Sequence, residues 1–351
     1  MKRRRSPRTV TLAVLGVAAA CAKPITVLAP SHALACPAST VRLPLRTGAF
    51  LGDSARSGPA MQRAIVAYRE RAGAPPGFVK LYTSLEDRLD PASGVGAALR
   101  AVVAAGAMPV LTVEPTWRSR PPNLLAAIAH GDANGLIRAW ADALRRTIGR
   151  DTIIIELAPE MNGRFGAPWQ PSGRSVALDS VVWRDYAAAW RRIVEVVRAA
   201  GNDGVRWLWS PSAGNPYTHR ETGGTHWNWM DRYYPGDDVV DYVGLHAFND
   251  PESQRAWVPF VELADGDAAD RSLSALVARH ARKPIVLSEL ATSELPGDPQ
   301  AKAAWIRDAF SAMRGCSSIA GVVWFDAKKE RDWRIDSSPA ALVAFRAAIR
   351  P

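Results

Sequence analysis

Short apolar segments alternate along this chain with longer segments of helical periodicity. The longer segments are rich in Ala and Arg, place apolar residues three or four positions apart, and several of them end in Gly, the usual helix stop. Because near-continuous apolar strands that alternate with helices indicate a parallel sheet covered by those helices, we expect an α/β protein. The eight predicted strands are 47–52, 78–84, 108–115, 152–159, 205–211, 240–248, 283–291 and 319–327.

Eight strand–helix units in succession predict a (β/α)8 TIM barrel that forms a single domain. The alternative is a doubly wound sheet, which usually has a Gly-rich turn after its first strand. The candidate "GVGAAL" (94–99) lacks the third Gly and opens the second helix, so it does not fit that turn. A last helix is predicted after Ser338, with Pro339 at its first position, which is a favoured start.

The first 35 residues have the composition of an export signal. A basic stretch precedes an apolar run, and "ALA" (33–35) fits the small-x-small pattern of a cleavage site. We therefore predict a signal peptide over 1–35, a catalytic domain over 36–351 and a secreted protein. The run from Thr9 to Ala22 is too short to span a membrane comfortably. A lipid anchor is the alternative, since "AAAC" (18–21) resembles a lipobox without its usual Leu.

The formal net charge of +10 comes mostly from this leader. Residues 1–35 hold six basic and no acidic residues, which leaves 38 basic against 34 acidic residues in the remainder. The basicity therefore does not indicate a nucleic-acid partner. We expect a monomer with no stable membrane span.

Three cysteines are present, and cleavage after Ala35 would leave Cys36 and Cys316. Two cysteines in an exported protein suggest one disulfide, with two free thiols as the alternative. Cys36 precedes the first strand and Cys316 the eighth, and these strands are neighbours in a closed barrel, so we predict that the two cysteines pair. There is no Cys-x-x-Cys and no metal-binding His spacing, so we expect no metal and no cofactor.

Charged and aromatic residues follow several predicted strands, at the end where TIM barrels carry their chemistry. Glu160 follows the fourth strand, and Glu289 lies near the end of the seventh. Two carboxylates facing each other across a barrel mouth are what glycoside hydrolysis needs, although rim salt bridges and packing are the simpler alternative. Further candidates around this mouth are Glu114, Trp117, Asn162, Trp209, Asn215, His246, Phe248, Trp324 and Asp326.

Four segments resemble glycoside hydrolase family 26: "APEMNG" (158–163), "YYPGDDVVDYVGLHAFN" (233–249), "KPIVLSELA" (283–291) and "VVWFDAKKERDWRIDSSPAALVAFRAAI" (322–349). The resemblance implies a retaining (β/α)8 enzyme, mainly of endo-β-1,4-mannanase activity, with some β-glucanases and xylanases. It implies Glu160 as acid/base and Glu289 as nucleophile. It also implies that Phe165 and Trp169 belong to a sugar-binding loop and that Trp324 floors the subsite of the reacting sugar.

The chain departs from the family pattern at three positions. Pro159 precedes the acid/base where the family usually has His, and Glu156 stands where it usually has Arg. Phe248 stands where a Tyr would hydrogen-bond the nucleophile. Each difference removes a polar contact to the reacting sugar or to a catalytic carboxylate.

Two interior residues are candidates to compensate for these losses. Strand alternation places Glu156, Ala158 and Glu160 on one face, so Glu156 points into the barrel, where Lys80 could pair with it. Alternatively, Glu156 lies on the outer face beside an Arg. His246 could supply the missing polar contact near Glu289, or it could be a core histidine bonded to a backbone carbonyl.

The sequence therefore predicts a secreted retaining β-glycoside hydrolase acting on a polysaccharide or oligosaccharide by double displacement, most similar to an endo-β-1,4-mannanase. Substrate-binding candidates are Asn162, Phe165, Trp169, Trp209, His246, Phe248, Trp324 and Trp117. The three departures keep two alternatives open: a hydrolase of another β-glucan or exopolysaccharide, and a catalytically impaired carbohydrate-binding barrel. The presence of both glutamates favours catalysis, and no Gly-x-Ser-x-Gly is present to suggest a serine hydrolase.

Overall fold

The computed structural model describes residues 25–29, 33–36, 44–164, 166–172, 175–213, 229–265 and 273–350. Its centre is a closed barrel of eight parallel strands. Each strand pairs with the next, and the eighth pairs with both the seventh and the first, which closes the ring. The strands are β1 Arg46–Phe50, β2 Phe78–Ser84, β3 Met108–Glu114, β4 Ile153–Leu157, β5 Val205–Trp209, β6 Tyr242–Asn249, β7 Ile285–Thr292 and β8 Ile319–Phe325.

Helices follow the strands along the chain, so the predicted (β/α)8 barrel is confirmed. The helix expected after Ser338 is present, and the Ser338 hydroxyl accepts a hydrogen bond from the backbone of Ala341. The α-helices are α1 Gly58–Ala72, α2 Gly94–Ala104, α3 Leu124–His130, α4 Asn134–Ile148, α5 Val176–Ala199, α6 Pro251–Gln254, α7 Phe260–Asp265, α8 Leu273–Arg279, α9 Ala301–Gly315 and α10 Pro339–Ala348. Short 3-10 helices cover Asp53–Ala55, Met230–Tyr233 and Asp237–Val239.

The interior of the barrel changes from apolar at one end to polar at the other. One buried cluster consists of Phe78, Val110, Ile154, Leu208, Val286 and Val323. Because side chains alternate along a strand, the residues two positions further on face the same interior one layer closer to the strand ends. That layer is polar and buried, and includes Lys80, Thr112, Glu156 and Ser210.

Two contacts tie the start of the described chain to the barrel. Cys36 and Cys316 form the predicted disulfide, with Cα atoms 5.3 Å apart and a sequence separation of 280. Upstream, Thr26–Val27 pairs in parallel with Ala256–Trp257. This short strand lies inside the predicted signal peptide, and cleavage after Ala35 would remove it. The cleavage position stays a prediction.

Candidate active site

A cleft of about 710 Å³ contains both glutamates that the sequence singles out. Glu289 lies within β7, and its side chain is 9% exposed. Glu160 follows the end of β4 by three residues, and its side chain is 28% exposed. The deeper carboxylate is thus on β7, and the more open one is beside β4.

His246 on β6 brings these two carboxylates to a common point. Its Nδ1 atom lies 3.2 Å from Glu160 Oε1 and 3.5 Å from Glu289 Oε2. These are ion-pair distances, although neither contact has the alignment of a hydrogen bond. Two oxygens this close to one atom are within about 7 Å of each other, which fits the roughly 5 Å separation of retaining glycosidases. The predicted convergence of Glu160 and Glu289 is present.

Glu160 reaches the cleft through a turn and not through continued strand alternation. The backbone is left-handed at Ala158, with φ of 44°, and again at Glu160, with φ of 55°. Strand β4 has already ended at Leu157, so the expectation that Ala158 shares a face with Glu156 and Glu160 is wrong. Ala158 instead packs with Tyr186 of α5. Non-glycine residues adopt this backbone at a cost of about 1–2 kcal/mol each, so other contacts must stabilise the turn.

Three consecutive carbonyl groups of this turn each accept a hydrogen bond from a side chain. The Tyr186 hydroxyl donates to Ala158 O at 3.1 Å, and Trp169 Nε1 donates to Pro159 O at 2.8 Å. Gln170 Nε2 donates to Glu160 O at 2.8 Å. The backbone N–H of Glu160 donates to Ser210 O, beyond the end of β5, also at 2.8 Å. These bonds hold the left-handed turn and therefore fix the position of Glu160.

Glu156 points into the barrel and pairs with Lys80, as predicted. Lys80 Nζ lies 2.5 Å from Glu156 Oε2, and the Thr112 hydroxyl donates to the same oxygen at 2.6 Å. His246 Nε2 lies 2.9 Å from the other oxygen, Glu156 Oε1. His246 is thus not a core histidine bonded to a carbonyl through its ring. Its two nitrogens face carboxylates on opposite sides.

The hydroxyl that reaches the candidate nucleophile comes from β2 instead of β6. Tyr82 donates a hydrogen bond to Glu289 Oε1, and Lys80 Nζ lies 2.7 Å from the same oxygen. Phe248 lines the cleft, as predicted, without a hydroxyl to offer. Tyr82 is not among the residues predicted from the sequence, although it lies two positions after Lys80 in an alternating strand and therefore shares its face.

The electrostatics favour an ionised Glu289 and a charged His246. Burial raises the pKa of the Glu289 carboxyl, but the charges of His246 and Lys80 outweigh it and hold that pKa below its ordinary value. Burial lowers the pKa of His246, yet Glu289 and Glu156 raise it to about 10. Burial also lowers the pKa of Lys80, but the charges of Glu156 and Glu289 outweigh it and hold that pKa above its ordinary value. Two cations and two anions thus share this interior.

Glu156, His246 and Glu289 also have donor atoms close enough together to surround a metal ion. The ammonium group of Lys80, however, lies within 2.7 Å of an oxygen of both glutamates. A metal ion would have to displace this cation from its two carboxylates, so the donor set suits a lysine and not a metal.

The aromatic wall of the cleft differs from the predicted one. Trp324 is buried against Trp305 of α9 and Phe345 of α10, with ring centroids 6.2 and 5.5 Å away. The prediction that Trp324 floors a sugar subsite is therefore wrong, because its side chain points out of the barrel. The next residue, Phe325, points inward and lines the cleft together with Trp333.

Other tryptophans assigned to sugar binding also lie away from the cleft. Trp209 is fully buried against Tyr234, because alternation in β5 turns it outward. Trp169 is buried and supports the Glu160 turn from behind. Trp117 is half-buried and packs on the core, and its assignment stays a prediction. The assignments of Trp209 and Trp169 are wrong.

The polar candidates Asn162 and Asp326 make their contacts outside the cleft. The Asn162 amide exchanges two hydrogen bonds with the backbone of Ser212, so it joins the loops after β4 and β5 instead of lining the cleft. Asp326 pairs with Arg71 at 2.8 Å, also outside the cleft. Phe165 and Asn215 lie outside the described residues.

The walls of the cleft carry more carboxylates than cations. Besides Glu160, Glu289 and His246, its lining includes two basic residues, Arg56 and Lys329. Lys329 lies over the rings of Phe50 and Phe325. The acidic residues of the wall are Asp53, Glu114, Asp250 and Glu330.

Comparison with known proteins gives relatives in sequence and in structure. Endoglucanase H of Acetivibrio thermocellus is 30% identical over 253 residues, which are 71% of this chain. The chain spans about a quarter of the length of that relative, since the match covers 25% of it. No protein-family model matches the sequence.

Solved structures extend the likeness to almost the whole chain. A family 26 β-mannanase from Bacteroides ovatus has a TM-score of 0.56 at 18% identity, covering 87% of both chains. The YdhT protein from Bacillus subtilis has a TM-score of 0.59 at 17% identity, covering 87% of this chain and 85% of that one. Among the described residues, no helix is long and apolar enough to cross a membrane.

The sequence match and the shared fold together confirm the resemblance to glycoside hydrolase family 26, and this chain has the barrel of that family.

Proposed function

We propose that this protein is a family 26 glycoside hydrolase that cleaves a β-linked polysaccharide with retention of configuration. The observation that carries the proposal is the approach of Glu160 and Glu289 to one nitrogen atom of His246, within 3.5 Å, inside a cleft of about 710 Å³. The leader composition and the disulfide support export from the cell.

In the first step, the ionised Glu289 attacks the anomeric carbon while Glu160 gives its proton to the leaving sugar oxygen. The bond from the anomeric carbon to that oxygen breaks, and an ester to Glu289 forms. The position of Glu289 fits the nucleophile, because it is the deeper of the two and is paired with cations. The more exposed Glu160 fits the acid, because a departing sugar must leave through the open side.

In the second step, Glu160 takes a proton from a water molecule as the water oxygen attacks the same carbon. The ester bond breaks, and Glu289 returns as a carboxylate. Two inversions at one carbon leave the product with the configuration of the substrate.

For the substrate, we propose a β-1,4-mannan first and a β-glucan second. The mannan follows from the segments that resemble family 26 and from the fold shared with β-mannanases. The glucan follows from the 30% identical relative, which is named an endoglucanase.

The test is release of reducing ends from a panel of β-mannan, mixed-linkage β-glucan and xylan. We expect Glu160→Ala and Glu289→Ala to abolish release, whereas Glu195→Ala, which changes an exposed glutamate of α5, should retain it. Proton NMR of the first product formed should show the β-anomer. Release of no sugar from any polymer would support a carbohydrate-binding barrel instead, and the α-anomer as first product would contradict the double displacement.

A further inference from the structure

Lys80 lies where it can act on the reaction without touching the sugar. Its side chain is completely buried, and its ammonium group contacts three oxygens. These are Glu156 Oε2 at 2.5 Å, Glu289 Oε1 at 2.7 Å and the carbonyl of Ser288 at 3.2 Å. His246 Nε2 lies 3.4 Å from the same nitrogen, so the ammonium group has more polar neighbours than its three protons can serve.

The two oxygens of Glu289 are in different environments. Oε1 forms an ion pair with Lys80 Nζ at 2.7 Å and accepts a hydrogen bond from Tyr82, and both residues lie on β2. Oε2 faces His246 Nδ1 at 3.5 Å, on the side where Glu160 also lies. An oxygen held by two donors has little freedom to attack, so Oε2 is the oxygen oriented towards the sugar.

We propose that Lys80 is a positioning residue that anchors Oε1 of Glu289 and so presents Oε2 to the anomeric carbon, while Glu156 limits the positive charge acting on the nucleophile. This inference rests on the proposed function, in which Glu289 is the nucleophile. It assigns a role to the two interior charges that the reaction scheme leaves unused.

The charges of this interior explain why both residues are needed. With Lys80 alone beside His246, two positive charges would act on one carboxylate and make it a weak nucleophile. With Glu156 present, the cations and anions balance. When Glu289 becomes an ester it loses its charge, and Lys80 and His246 then carry one positive charge more than Glu156 compensates. This excess charge favours departure of the carboxylate in the second step. The ionisable groups facing Glu289 are Lys80, Tyr82, Glu156, Glu160 and His246.

The first experiment compares the pH dependence of kcat/KM for Lys80→Met and Glu156→Gln. Lys80→Met removes a positive charge beside Glu289 and should therefore raise the pKa of Glu289. The acidic limb of the kcat/KM profile, which reports ionisation of Glu289 in the free enzyme, should move to higher pH by about one to three pH units. Glu156→Gln leaves Lys80 and His246 acting on Glu289 without a compensating negative charge, which should lower the pKa of Glu289. The acidic limb should therefore move to lower pH. A purely structural role for the pair predicts lower stability in both variants with no opposite shifts.

A second measurement follows the covalent intermediate. With an aryl glycoside that has a good leaving group, Lys80→Met should accumulate glycosyl-enzyme visible by intact-protein mass spectrometry, because the departing carboxylate has lost its cation. We expect kcat to fall by about 10- to 100-fold, the range for a lost hydrogen bond to a charged group.

Two variants control for disruption of the barrel. Lys80→Met/Glu156→Gln removes one charge of each sign, and its acidic limb should still move upward, by less than in Lys80→Met. Lys302→Met removes another buried lysine, which donates to the carbonyls of Asp332 and Arg334 and does not contact Glu289. Its acidic limb should remain at the wild-type position.

An unmoved acidic limb in Lys80→Met, or shifts of the same sign in Lys80→Met and Glu156→Gln, would overturn the inference. If the wild-type protein hydrolyses no substrate, the proposed function fails separately. Carbon-13 NMR titration of Glu289, assigned with Glu289→Gln, then decides the role of Lys80. Its carboxyl should titrate at higher pH in Lys80→Met, and an unchanged titration would reject the effect of Lys80.

Discussion

At the scale of single residues, support for Glu289 has a different origin from the one the family resemblance implies. The resemblance points to a tyrosine at position 248 on β6, where this chain has Phe248. Tyr82 on β2 supplies the hydroxyl instead. Burial, together with the charge of Glu289, raises the pKa of Tyr82 well above its ordinary value, so Tyr82 remains a neutral donor.

Replacing Tyr82 with Phe should reduce kcat/KM by about 10- to 100-fold, because a hydrogen bond to a charged carboxylate is lost. Tyr68→Phe is the matched control. Tyr68 is buried, and its hydroxyl has no hydrogen-bond partner among the described residues. The measurements are kcat/KM and the thermal unfolding temperature of both variants. Equal losses of kcat/KM in the two variants would contradict the role of Tyr82.

Sequence reasoning at this scale succeeded for polar residues and failed for the tryptophans. Glu160 and Glu289 follow from their place at strand ends of a barrel. The Lys80–Glu156 pair follows from the rule that a charged residue inside a barrel needs a partner. Trp209 and Trp324 were misplaced because sugar stacking was inferred from residue type. Alternation along β5 and β8 already turns both indoles towards the helices.

At the scale of elements, the turn after β4 determines where Glu160 lies. It combines left-handed residues with three bonded carbonyls, and nothing in the letters "APEMNG" predicts that backbone. The eight strands themselves were predictable, because long apolar runs leave little choice of structure. The turn was not, because its conformation depends on side chains from α5 and from the following loop.

Trp169→Phe tests this view of the turn. The substitution keeps an aromatic ring but removes the donor to Pro159 O, so the free energy of unfolding should fall by about 1–3 kcal/mol. Since Trp169 supports Glu160 from behind, kcat should fall with little change in KM.

Trp333→Phe is the comparison variant, since Trp333 lines the cleft and should affect KM. Steady-state kinetics with the polymer found active in the panel would measure both. A raised KM with normal kcat in Trp169→Phe would restore the sugar-binding assignment.

At the scale of the whole molecule, the Cys36–Cys316 disulfide connects the segment before β1 to the start of β8. It closes a loop that contains nearly the entire barrel. Cross-links that close long loops stabilise mainly by restricting the unfolded chain, typically by about 2–4 kcal/mol.

Replacing both cysteines with Ser should therefore lower the free energy of unfolding by about 2–4 kcal/mol while leaving kcat/KM unchanged, because the disulfide is remote from the cleft. Urea unfolding of the oxidised wild type and of the Cys36→Ser/Cys316→Ser variant makes the comparison. The wild type treated with a reductant should match the variant, and an unaltered urea midpoint would contradict the stabilising role.

The carboxylates along the cleft wall have a consequence for which polymers can enter. A polyuronate would bring a negative charge on every sugar into a cleft whose wall carries Asp53, Glu114, Asp250 and Glu330 against Arg56 and Lys329. Asp53 and Asp250 are paired with Lys329 and Arg331, so the repulsion comes from the carboxylates in excess of these cations. Neutral chains such as mannan and glucan meet no such barrier, so their binding should vary little with ionic strength. For the proposed hydrolase activity, we therefore expect gums rich in acidic sugars to be left uncut and neutral hemicelluloses to be the preferred material.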